Sequence, residues 1–84
     1  MSGYRTAADL IAELLQQLSV HGVAVLEMAR TGYGLHLWMA AREPGKGAEV
    51  RLYVLTRKRG RWTLGSRPGC PWAEVPPAVL EAAR

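Results

Sequence analysis

The sequence of 84 residues has one cysteine, two histidines and no phenylalanine. The single cysteine, Cys70, excludes an intrachain disulfide and any zinc site built from clustered cysteines. We expect Cys70 to be a small, partly buried apolar residue, as free cysteines usually are. His21 and His36 have no cysteine or carboxylate at metal-ligand spacing. No metal and no other cofactor is therefore predicted.

Long apolar runs are also missing. The longest uncharged one, GYGLHLWMAA at 32–41, is too short to cross a bilayer. The first residues lack the basic start and apolar core of a signal peptide. We therefore expect no membrane partner and a cytoplasmic location. With 49% hydrophobic residues, residues 1–84 are expected to form one small domain.

Catalytic groups are sparse. No phosphate-binding loop or dinucleotide fingerprint is present in the sequence. A nucleophile with a base and an orienting group cannot be assembled from the remaining residues. The sequence therefore predicts a protein that is not an enzyme.

The spacing of apolar residues changes once along the chain. Residues 6–19 show helical spacing, with Thr6 and Asp9 arranged as a capping box and Gly22 as a stop. From residue 23 the pattern alternates, and short loops make successive strands antiparallel neighbours. The predicted strands are 23–30, 35–42, 48–57 and 61–64. A Pro- and Gly-rich segment with Trp72 as its expected anchor follows, and then a short helix at 78–84.

These elements predict an α+β two-layer sandwich of order α-β-β-β-β-α. An antiparallel sheet of three or four strands carries the N-terminal helix on one face. Alternation sorts the strand side chains into two faces, and we assign the aliphatic set to the face under the helix. The opposite face is then aromatic and basic. Its members are His36, Trp38, Arg42, Arg51, Tyr53, Leu55, Arg57 and Arg61.

Positive charge is concentrated in the middle of the chain. The formal net charge is +4, but residues 42–67 alone carry eight basic and two acidic residues. Four of the five residues at 57–61 are cations, and they surround Gly60. A cluster of this kind favours an acidic partner, either a nucleic acid or an acidic protein surface.

We hypothesise a non-enzymatic protein that binds nucleic acid, with single strands favoured. Cations of the turn and of the aromatic and basic face meet phosphates, while the aromatic rings of the same face stack on bases. The predicted phosphate-binding residues are Arg42, Arg51, Arg57, Lys58, Arg59 and Arg61. The predicted stacking residues are Trp38 and Tyr53.

Other interpretations of the same residues remain open. Trp38 and Tyr53 can form a second small core under the C-terminal segment, or their face can pair with its own copy in a homodimer. The basic turn can be a solvated feature that keeps an edge strand from pairing. The alternative function is a small protein-interaction module that docks on an acidic partner. It would act as an inhibitor, an accessory subunit or a phage-encoded antagonist.

Overall fold

The computed structural model of the protein describes residues 5–69 and 71–84. The prediction made for Cys70 lies outside these residues. Four antiparallel strands form one open sheet in the order β1-β2-β3-β4, with a helix before and after it, so the predicted fold class is confirmed. The elements are α1 (Ala7–Val20), β1 (Ala24–Thr31), β2 (His36–Arg42), β3 (Ala48–Lys58), β4 (Arg61–Ser66), a 3-10 helix (Trp72–Glu74) and α2 (Pro77–Ala82). Among the described residues, no helix is long and apolar enough to span a membrane.

Both ends of α1 form as the sequence predicts. The Thr6 hydroxyl accepts a hydrogen bond from the Asp9 N–H at 3.1 Å, and the Thr6 N–H donates to the Asp9 carboxylate at 2.9 Å. This capping box, above all its bond from the Thr6 backbone, lowers the pKa of Asp9. At the other end Gly22 has φ +76°, and the Val23 N–H donates to the Leu18 carbonyl at 2.8 Å. That bond is typical of a Schellman motif.

One face of the sheet, which we call the first face, lies under α1. Ile11 and Leu18 of the helix are buried against the side chains of β2 that point toward them, chiefly Leu37 and Met39. Tyr53 of β3 is partly buried in the same layer. This layer is the helix-on-sheet packing that the apolar stripe of α1 predicts.

The opposite face, the second face, is covered over β1, β2 and β3 by the C-terminal segment. Val75 and Val79 pack on Trp38, which is fully buried. The Trp38 indole N–H donates to the Thr31 hydroxyl at 3.0 Å, so the only polar atom of its ring is satisfied. Trp72 is 61% exposed, so the prediction that it anchors this segment is wrong. Val75 and Val79 are buried in its place.

The register between β2 and β3 places Trp38 and Tyr53 on opposite faces. Trp38 is opposite Leu52, and Tyr53 is opposite Leu37. Directly opposed residues of antiparallel strands share a face. The prediction that the aromatic and basic residues share one face is therefore wrong. A register that differs by one residue transfers every side chain of a strand to the other face.

Candidate functional site

The basic turn lies at the tip of a two-stranded ribbon. His36, the first residue of β2, is opposite Val54, whereas β3 continues to Lys58 with β4 as its partner. The Leu55 N–H makes the last backbone bond toward the β1–β2 hairpin, to the Leu35 carbonyl at 2.7 Å. Three further residues of β3, at about 3.3 Å each, carry the tip about 10 Å beyond that point. We call residues 56–63 the basic ribbon.

The turn of the ribbon is tight and strained. Arg59 and Gly60 have φ values of +53° and +77°, and they connect the opposed residues Lys58 and Arg61. Positive φ at both central residues is typical of a two-residue type I′ turn, in which Asn-Gly is preferred. For an L-residue such as arginine, the left-handed conformation costs about 1–2 kcal/mol. Backbone strain of this kind is often found at functional sites.

Four cations project from the ribbon in three directions, and we call them the ribbon cations. The guanidinium carbon of Arg57 lies 5.9 Å from the centroid of the half-buried Trp62 ring, on the first face. Such a cation–π contact helps to hold Arg57 in place. Lys58 and Arg61 are opposed on the second face, and Arg59 occupies the tip. The ribbon cations are Arg57, Lys58, Arg59 and Arg61.

The charge of the ribbon cations is not compensated within the described part of the chain. All four side chains are exposed, and no described carboxylate lies within 4.0 Å of any of them. A shallow depression on the ribbon is lined by Lys58, Arg59, Arg61 and Thr63. Each of these side chains can donate hydrogen bonds, so the depression suits an anion with several acceptor oxygens.

Arg51 lies apart from the ribbon cations, in an ion-pair network. Its guanidinium contacts the carboxylates of Glu43 and Glu49, and Lys46 reaches Glu43 at 3.2 Å. The hydrogen bond from Lys46 makes the largest contribution to lowering the pKa of Glu43, and the hydrogen bond from Arg51 makes the next largest. Partial burial acts to lower the pKa of Arg51, but its interactions with nearby Tyr53 and Glu49 raise it overall. With two carboxylate partners, Arg51 is poorly placed to meet phosphates.

The other predicted site residues are also separated from the ribbon. Arg42 is exposed, but it is opposite Ala48 at the far end of the sheet, about 33 Å from Lys58 along β3. Trp38 is enclosed by the C-terminal segment, and Tyr53 is packed under α1. Of the eight predicted site residues, the structure therefore keeps only the ribbon cations together.

The sequence interpretation missed Tyr33, in the loop between β1 and β2. The ring is fully exposed, and the backbone is left-handed, with φ +61°. Because the strands are antiparallel, this loop and the tip of the ribbon lie at the same end of the sheet. The sequence signal that could have identified Tyr33 is the triplet Gly-Tyr-Gly. It places an aromatic ring in a turn, where the residues of the hairpin cannot bury it.

Replacing Arg59 by asparagine is expected to stabilise the fold and weaken the site. Asparagine tolerates the left-handed conformation, so the free energy of unfolding should rise by about 1 kcal/mol and the melting temperature by about 4–8 °C. The measurement is thermal and urea unfolding followed by circular dichroism. Arg59→Gln is the matched control, because it removes the charge and keeps the strain. Equal stability of the two variants would contradict the role given to the backbone.

The candidate site is thus a projecting, positively charged ribbon tip with an exposed tyrosine at the same end of the sheet. Comparisons of the chain with protein-family models, with curated proteins and with solved structures found no match.

Proposed function

We propose that the protein binds nucleic acid through the basic ribbon and catalyses no reaction. The observation that carries the proposal is the set of four exposed ribbon cations, for which the described part of the chain supplies no carboxylate partner. Uncompensated cations at a projecting tip create a positive potential that attracts anions. Phosphate oxygens are strong acceptors for arginine and lysine.

The arrangement of the ribbon cations supports a polymeric anion over a small one. Arg57 lies on the first face, whereas Lys58 and Arg61 lie on the second and Arg59 lies between them at the tip. One small anion cannot contact cations on both faces of a ribbon. A nucleic-acid backbone presents phosphates at regular intervals, so it can engage the tip from both sides. A location with access to nucleic acid, the cytoplasm, is part of the proposal.

An acidic protein surface is the alternative partner. The same cations would meet carboxylates there, as expected of an inhibitor, an accessory subunit or a phage-encoded antagonist. A homodimer also stays a prediction, which sedimentation would test. The aromatic face first considered for dimer pairing is not available at Trp38, because the C-terminal segment covers that residue.

Binding is expected to depend steeply on salt. With four phosphates neutralised, the logarithm of the affinity for a single strand should fall with the logarithm of salt concentration at a slope of about −3. The affinity would then drop about 50-fold between 50 and 200 mM monovalent salt. Fluorescence anisotropy with labelled DNA and RNA, single-stranded and duplex, measures this slope. Absence of affinity for all four ligands at physiological salt would reject the proposal.

A further inference from the structure

We propose that Tyr33 stacks on an unpaired base of a nucleic acid whose phosphates contact the ribbon cations. The inference rests on the proposed function and specifies its ligand as a single strand. It assigns a role to an aromatic ring that the fold does not use. Tyr33 is fully exposed and belongs to none of the hydrophobic clusters formed by the described residues.

The loop holds Tyr33 outward by a specific backbone arrangement. Gly32, Tyr33 and Gly34 have φ values of +64°, +61° and +79°, so three successive residues are left-handed. A tyrosine in this conformation is strained, whereas its glycine neighbours are not. The strained backbone costs free energy, and the exposed ring makes no packing contacts that would offset this cost. A role in contacting a ligand accounts for both the strain and the exposure.

The side chain of Arg30, near the end of β1, anchors the loop between β1 and β2. Its guanidinium donates a hydrogen bond to the Gly34 carbonyl at 3.1 Å. A Cβ atom on Gly34 would lie 2.8 Å from the Arg30 Nη2 atom, so a larger residue would displace the end of the Arg30 side chain from this position. The guanidinium also adds a positive charge to this end of the sheet. The loop that carries the ring is thus constrained before binding, so less conformational entropy is lost when a base stacks on the ring.

The spacing between the two hairpins suits a short stretch of one strand. Their centres are two strand spacings apart, about 10 Å, and the ribbon tip reaches further along the sheet axis by roughly two to three residues. The backbones of Tyr33 and Arg59 are therefore separated by on the order of 12–15 Å. About four stacked nucleotides cover this distance at about 3.4 Å each. A base on Tyr33 and phosphates on the ribbon can thus belong to one segment.

A test compares two probes of equal length, a labelled 12-nucleotide oligothymidylate and a 12-base-pair duplex. Tyr33→Ala should weaken binding of the oligothymidylate by about 5- to 150-fold, since stacking contributes that much per base. Duplex affinity and the salt slope should not change, because no phosphate contact is lost. Tyr33→Phe should retain wild-type affinity. Trp72→Ala, at an exposed aromatic residue outside both hairpins, is the matched control and should also bind as wild type.

Each result decides one of the two proposals. If Tyr33→Ala leaves oligothymidylate binding intact while neutralising the ribbon cations abolishes it, the stacking role is overturned and the proposed function stands. An equal loss of affinity for both probes would also overturn it, because stacking on an unpaired base cannot weaken a duplex contact. If the wild-type protein binds neither probe, the proposed function itself fails. Circular dichroism of Tyr33→Ala checks that the hairpin still folds.

Discussion

Replacing all four ribbon cations by glutamine is expected to reduce single-strand affinity by about 600-fold at 0.1 M salt. Counterion release from four neutralised phosphates accounts for this figure, because the logarithm of the affinity changes by about 0.7 per phosphate for each tenfold step in salt. The salt slope should approach zero in the same variant. Anisotropy titrations at several salt concentrations measure both quantities. Folding should be unaffected, because the four side chains are exposed.

The control for this variant must remove the same charge elsewhere. Neutralising the ribbon cations takes the formal net charge from +4 to zero, which by itself weakens attraction to any polyanion. A second fourfold glutamine variant, outside the ribbon, reaches the same net charge and keeps the ribbon intact. Its positions are Arg5, Arg42, Arg67 and Arg84. If it loses as much affinity as the ribbon variant, general charge and not the ribbon causes binding.

How well the sequence predicts the site depends on how far apart the site residues are in the chain. The ribbon cations are contiguous, so any hairpin with its turn near Gly60 holds them together. Arg42, Arg51 and Tyr53 entered the predicted site only through the assignment of faces. That assignment depends on the register between β2 and β3, which the loop 43–47 sets and the alternation within each strand does not.

Two local signals in the sequence could have improved the prediction. Glu49 lies two residues before Arg51, so both side chains share a face of β3, and their pairing is visible from spacing alone. Tyr33 stands between two glycines in a turn, where an aromatic ring has little to pack against. No local signal in the sequence shows that Trp38 is buried and Trp72 is exposed. Burial of Trp38 depends on where residues 75–83 return to the sheet, which is a tertiary contact.

The largest effect on stability is expected at Trp38. Its side chain is fully buried between β2 and the C-terminal segment, and its indole N–H is hydrogen-bonded to Thr31. Trp38→Ala should lower the free energy of unfolding by about 3–5 kcal/mol, through lost burial and the cavity that remains. Small domains have only about 5–15 kcal/mol in total. The variant should therefore be barely folded at 37 °C, as urea unfolding and thermal melts would show.

Trp72→Ala is the matched control for Trp38→Ala, because it makes the same chemical change at a residue that is 61% exposed. Its effect should be within about 0.5 kcal/mol. Trp38→Phe keeps most of the burial and removes the hydrogen bond to Thr31, so it should fold with an intermediate loss and remain measurable if Trp38→Ala does not fold. A ring that served as an exposed platform for bases would give the opposite pattern. Trp38→Ala would then keep wild-type stability and lose nucleic-acid binding, and the second face would have to be open at Trp38.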